Sequence, residues 1–254
     1  MRTYNCKNYD DSIACNDGNY IELPSCHTIE PECLGGNVIY SEDGSNPRMG
    51  APIYETMDEA ITNLKWVDSA RLEGSINKAK AAIDADKKVI YNVSFGITSL
   101  NGIISAEKLF LALRKDKERV YKLFDMVNDE LVKYCKKIEE AGVHVISLAD
   151  SVGGVELIGP KTGEEISREC IVPFLEKLTH NTSLTIHLCP KTLYMLEDCN
   201  LILKDDSAKI NEDLRYYEAI EYNANRNARI LGLSCIKNNV MVRKGTTIAY
   251  KINK

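Results

Sequence analysis

Residues 116–150, DKERVYKLFDMVNDELVKYCKKIEEAGVHVISLAD, decide the fold. Val120, Leu123, Phe124, Val127, Leu131 and Ile138 recur at three- and four-residue spacing, with Lys and Glu on the opposite side, which predicts an amphipathic helix over 116–141. Gly142 follows as the C′ residue, where a helix end turns into a left-handed conformation that glycine adopts freely. The run 143–149 is then almost continuously apolar, as in a strand of a parallel sheet buried on both faces. A helix that delivers the chain directly into a buried strand is an αβ unit.

The unit recurs. Apolar, β-rich runs fall at 20–23, 38–40, 89–93, 143–149, 184–188, 201–203, 230–233 and 248–252. Helical patterns lie between them at 57–69, 73–86, 105–114, 116–141, 163–180, 192–198 and 211–224. About eight alternations, with no Gly-rich dinucleotide turn after any early strand, fit a parallel barrel better than an open nucleotide-binding sheet. The expected fold is α/β, a somewhat abridged (β/α)8 TIM barrel, with residues 1–254 as a single domain. No repeat, low-complexity segment or linker interrupts it.

The composition sets outer limits. A chain of 254 residues, 44% hydrophobic and 27% charged, is an ordinary globular sequence and excludes disordered and fibrous classes. Lys and Arg number 32 against 37 Asp and Glu, a net charge of −5, and the basic residues are scattered, so nucleic acid is not an expected partner. No apolar run approaches the roughly 20 residues of a membrane span, and the polar start of the chain lacks an apolar signal region. A cytoplasmic protein without a membrane partner is expected. Its nine cysteines, an odd count, should then be reduced thiols, which favours metal binding or catalysis over a disulfide framework. Cys135, Cys170 and Cys199 sit inside helical patterns and read as core residues.

The sharpest chemical signal is Thr185-Ile-His-Leu-Cys-Pro190. His187 and Cys189 are two apart on a short strand, so imidazole and thiol share one face, and in a barrel the C-terminal strand end is where active sites form. The run from Arg229 to Cys235 ends in a second cysteine, 46 residues beyond Cys189. One imidazole and two thiols make a borderline-soft set that suits Zn²⁺ and leaves a fourth position open. The competing reading is a satisfied core histidine beside buried thiols. Asp150 stands at the tip of the strand after the long helix, followed by Ser151-Val-Gly-Gly. It is a candidate catalytic residue or polar partner of the site: a carboxylate there could bind metal, serve as a general base or cap the following turn, and capping is the commonest of the three. The cluster Cys26-His27-Thr28-Ile29-Glu30 with Glu32 and Cys33 matches no standard zinc spacing and reads as packing and hydrogen bonding.

With these residues in view, the chain from about Ser25 to Cys235 resembles the uroporphyrinogen decarboxylase superfamily, within it the zinc-dependent corrinoid methyltransferase branch. The resemblance rests on Glu32-Cys-Leu-Gly-Gly, Tyr91-Asn-Val-Ser-Phe-Gly-Ile-Thr-Ser-Leu, Ala141-Gly-Val-His-Val-Ile-Ser-Leu-Ala-Asp150-Ser, Ile158-Gly-Pro160 through Pro173-Phe174, and Ile186-His-Leu-Cys-Pro. It implies a (β/α)8 barrel. Zinc-dependent members carry His-x-Cys on one strand and a later Cys, so it also implies His187, Cys189 and Cys235 as zinc ligands. No Arg lies between Arg2 and Arg48, so the arginine-rich signature of the decarboxylases is absent. The chain is shorter than typical members and its interval from Cys189 to Cys235 is compressed, which implies an abridged end. The implied activity is transfer of a methyl group between a corrinoid (methylcobamide) and an acceptor, with a small thiol favoured. No D-x-H-x-x-G segment is present, so the corrinoid is expected on a separate carrier protein. Two rival readings are a metal-free decarboxylase-like enzyme using Asp150 on a tetrapyrrole or carboxylate, and a non-catalytic barrel that binds a corrinoid protein.

Overall fold

The computed structural model describes residues 1–2, 19–40 and 47–253; Cys6 and Cys15 lie outside them. The strands among them are β1 (Tyr20–Leu23), β2 (Val38–Ile39), β3 (Arg48–Met49), β4 (Lys88–Ser94), β5 (Val145–Ala149), β6 (Thr185–Leu188), β7 (Ile202–Lys204), β8 (Leu214–Arg215), β9 (Ile230–Leu231), β10 (Met241–Val242) and β11 (Ala249–Ile252). Seven of them form one sheet in the order β1-β4-β5-β6-β9-β11-β7. β1, β4, β5, β6 and β9 are parallel neighbours. β11 runs antiparallel to both β9 and β7, so β7 shares the direction of the parallel strands.

Chain order and sheet order coincide over the five parallel strands. A doubly wound sheet reverses direction part-way; a barrel wall steps one way around, with its helices all outside. The helices obey that rule. Val89, Tyr91, Val93, Ile146, Leu148, Ile186, Leu188 and Ile230 point to one face, in one core with Leu72, Leu109, Leu123, Leu131, Phe174 and Leu193 of the connecting helices. The fold is therefore that of a (β/α)8 barrel, abridged to six strands of one direction and one antiparallel strand among the described residues. On the face that would line a barrel interior, Tyr20, Ile90, Val145, Leu231 and Ala249 pack against Tyr216, Tyr217, Ala219 and Ile220 of the helix Tyr216–Ala224.

The diagnostic helix spans Lys117–Glu140 and buries every residue of its predicted stripe. Gly142 takes φ +90°, as its C′ position requires, and β5 begins at Val145. Each large apolar side chain on that stripe contributes about 1.5–3 kcal/mol by leaving water. The predicted helix 163–180 is broken into Pro160–Ile166, a π-helical turn at Ser167–Ile171, and Val172–Asn181. Pro173 supplies the reason: it has no N–H for the helical ladder, and a π-turn is a common way to pass such a break. The predicted strand 38–40 exists as β2, but it pairs with β3 in a separate hairpin and does not enter the sheet. No helix among the described residues is long and apolar enough to cross a membrane.

Candidate functional site

Because β1, β4, β5, β6 and β9 are parallel, their C-terminal ends lie at one end of the sheet, and so do the segments that follow them. Near that end the interior face changes character. Below it are Tyr20, Ile90 and Val145; above it Asn92, Ser147 and His187 stand in one register row on three adjacent strands, with Glu22 of β1 beside Ile90 on the same face. Asn92 Nδ2 donates to Glu22 Oε1 at 2.7 Å and to the Pro24 carbonyl at 2.9 Å.

His187 is fully buried, and its ring is held on three sides. Ser147, its register partner on β5, places Oγ 2.9 Å from Nδ1. Nε2 lies 3.1 Å from the Ser234 carbonyl and donates to it. The Tyr216 ring stands edge-on at 5.7 Å, and its phenol oxygen accepts the Ser234 N–H at 3.3 Å. Burial pushes the His187 pKa down to about 4, so the imidazole is neutral at ordinary pH. Burial also pushes the Tyr216 phenol up, which keeps it protonated.

Cys189 is the N-cap residue of the helix Pro190–Asp198, and its Sγ lies 3.4 Å from Thr192 Oγ1. Cys189 and Cys235 are both half-buried. The sequence thus brings the three donors to the ends of two paired strands, with His187 Nε2 turned to the residue next to Cys235. They are not closed around one point: no three His, Cys, Asp or Glu side chains among the described residues stand together as a metal set. The donor chemistry nevertheless fits Zn²⁺, since a buried neutral imidazole with one nitrogen anchored and two thiols are ligands this ion takes.

Asp150 is placed differently from a free acid or base. Its carboxylate is buried and accepts from Ile97 N (3.0 Å), Thr98 N (2.9 Å), Thr98 Oγ1 (2.8 Å) and Gly153 N (2.9 Å). Burial raises its pKa, and these four bonds oppose the rise. The group ties the segment after β4 to the segment after β5. Gly96, at φ +64°, and Gly153 make that approach feasible, because a Cβ on either would fall 2.1 Å or 2.0 Å from Asp150 Oδ2. Lys191 adds a second tie, donating to the Ser151 carbonyl at 2.9 Å and pairing with Glu156.

The 26–33 cluster is organised by Arg71, as packing and hydrogen bonding. Its guanidinium meets Glu32 Oε2 at 2.6 Å, Thr28 Oγ1 at 3.0 Å and Cys26 Sγ at 3.1 Å. His27, beside Lys237, has its pKa lowered to about 4, chiefly by burial. Sequence reasoning missed Ser147 and Tyr216. Ser147 carried a signal, a hydroxyl at an alternating position in an otherwise apolar strand. Tyr216 carried none, since a tyrosine in a helical pattern reads as core.

Residues 19–221 match the family model for uroporphyrinogen decarboxylase (URO-D). The chain belongs to the URO-D family. Cys235 lies beyond the matched span, whereas Ser147, Asp150, His187 and Cys189 lie within it. Over 182 residues the chain is 21% identical to the methylcobamide:CoM methyltransferase MtaA of Methanosarcina barkeri (strain Fusaro / DSM 804), and equally to a second MtaA sequence from Methanosarcina barkeri. These alignments cover 70% of this chain and 53% of each relative, so the chain spans about half the length of the curated relatives it matches. A methyltransferase structure from Methanosarcina mazei superposes with a TM-score of 0.56 at 19% identity, covering 71% of this chain and 54% of that one, which supports the barrel fold.

Proposed function

We propose that this chain is a zinc-dependent methyltransferase that moves a methyl group between a corrinoid carried by a separate protein and a small thiol. The observation that carries the reading is the setting of His187: buried, neutral, anchored at Nδ1 and turned at Nε2 toward the segment bearing Cys235, with Cys189 two residues further along. The likeness to methylcobamide:CoM methyltransferases supports it at the level of reaction class.

In this reading His187, Cys189 and Cys235 hold the zinc ion. Zinc, when bound, supplies a soft centre on which an acceptor thiol loses its proton near neutral pH and presents a nucleophilic sulfur. The protein's own groups provide the frame. Ser147 and Tyr216 hold the imidazole, and Asp150 locks the segments after β4 and β5 so that the mouth is preorganised without the acid taking part in proton transfer. In the transfer the cobalt–carbon bond breaks with the electron pair left on cobalt. The sulfur–carbon bond forms, and the thiol proton goes to solvent.

The test is demethylation of methylcobalamin, or of a methylated corrinoid protein, by coenzyme M, homocysteine and simple mercaptans, with the thioether product identified by mass. The expected result is turnover that depends on zinc, declines at low pH and disappears in Cys189→Ala. Thiol-independent turnover, or equal turnover after zinc removal, contradicts the proposal. Tetrahydrofolate in place of the thiol tests for a non-thiol acceptor.

A further inference from the structure

We propose that Ser147 is the positioning residue that fixes His187 for metal binding, an inference that rests on the zinc reading of this site. A histidine that binds a metal through one nitrogen needs its other nitrogen held, or the ring rotates and the tautomer is unset. Here the holding group is given by the sheet. Ser147 and His187 are register partners on β5 and β6, both side chains are buried, and Oγ reaches Nδ1 at 2.9 Å. That leaves Nε2 as the nitrogen facing the segment that carries Cys235, where it now donates to the Ser234 carbonyl at 3.1 Å.

A hydroxyl is suited to this position because it both donates and accepts. With Nε2–H on the Ser234 carbonyl, Ser147 donates to the Nδ1 lone pair. When the Nε2 lone pair faces a metal, the proton resides on Nδ1 and the same hydroxyl accepts it. The ring keeps its place in both states while only the partner of Nε2 changes. Tyr216 braces the arrangement from the other side, edge-on to the ring and bonded to the Ser234 N–H. An alanine at 147 would leave Nδ1 buried without a partner.

The inference is tested by zinc affinity, measured by competition with a chromophoric chelator, in the wild type and in Ser147→Ala, Ser147→Thr, Ser147→Val and His187→Ala. Thr and Val have nearly equal volume, so their difference isolates the hydroxyl even if Ser147→Ala folds poorly. The expected outcome is a loss of about 10- to 100-fold in Ser147→Ala and Ser147→Val, rescue by Ser147→Thr to within a few-fold of wild type, and a larger loss in His187→Ala. Nitrogen-15 spectra of the metal-free protein should show the Nε2–H tautomer throughout, because the Ser234 carbonyl can only accept, with the Nδ1 resonance shifted by the hydroxyl bond in the wild type and in Ser147→Thr and free of that shift in Ser147→Val. Zinc affinity that falls in His187→Ala but stays at the wild-type level in Ser147→Ala and Ser147→Val overturns the inference and leaves the zinc reading standing. Affinity unchanged in His187→Ala, or no zinc bound by the wild type, overturns both.

Discussion

Glu30 is a carboxyl enclosed by the core. It is fully buried, and burial pushes its pKa up to about 7, against the opposing pull of bonds from Ser94 and the Arg71 charge. Between pH 4.5 and 7 the folded chain therefore holds a proton at Glu30 that the unfolded chain releases. Stability from this group is present at low pH and falls as pH rises through that window, by about 3 kcal/mol once Glu30 is ionised. Glu30→Gln removes the titration. Its melting temperature relative to wild type should rise steadily from pH 5 to pH 8 in thermal scans, and a constant difference would contradict the assignment. At this scale the sequence revealed which residue types stand at strand ends: His187, Cys189, Cys235 and Asp150 were all legible as positions. What they touch was not, because the partner of His187 is set by the β5–β6 register, and the four donors to Asp150 come from the short helix Gly96–Asn101 and the turn after β5, whose approach no local pattern encodes.

Among the elements, the helix Gly96–Asn101 after β4 and the turn after β5 behave as one unit because Asp150 bonds both. The consequence is steric. Gly153→Ala places a methyl 2.0 Å from Asp150 Oδ2, and Gly96→Ala places one at 2.1 Å and adds a positive φ of 64°. Each should destabilise by about 2–4 kcal/mol through loss of charge-assisted bonds to a buried carboxylate, with Gly96→Ala the worse of the two. Gly74 lies within the helix Ala70–Asp84 with no atom within 4 Å of a built Cβ, so Gly74→Ala should stabilise by about 0.5–1 kcal/mol. Denaturant titrations of the three variants check the ordering, and equal effects at positions 74 and 153 would show that Asp150 does not clasp the helix and the turn. The helix 116–141 and the strands at 20–23, 184–188 and 201–203 were readable because periodicity and caps agree there with burial. The run 38–40 has strand composition but only a two-residue hairpin to join, and the break in 163–180 depends on Pro173, which composition alone read as part of one helix.

At the scale of the molecule, five parallel strands in chain order build part of a barrel wall, and the helix Tyr216–Ala224 covers the face that a full barrel would turn inward. The αβ repeat announced the barrel. The antiparallel insertion of β11 between β9 and β7 was not legible, since two short apolar runs reveal neither their order nor their direction. In the proposed reaction the corrinoid is presented by another protein over the C-terminal strand ends. The purified chain should therefore fail to retain stoichiometric cobalamin through gel filtration, and one cobalamin retained per chain would contradict that arrangement. Whether His187, Cys189 and Cys235 hold a zinc ion that takes up a thiol is read from X-ray absorption at the zinc edge. One imidazole nitrogen and two sulfurs are expected around zinc in the resting protein, and one further sulfur after a small thiol is added. Zinc surrounded by oxygen and nitrogen alone, or a coordination shell unchanged by the thiol, would contradict that assignment.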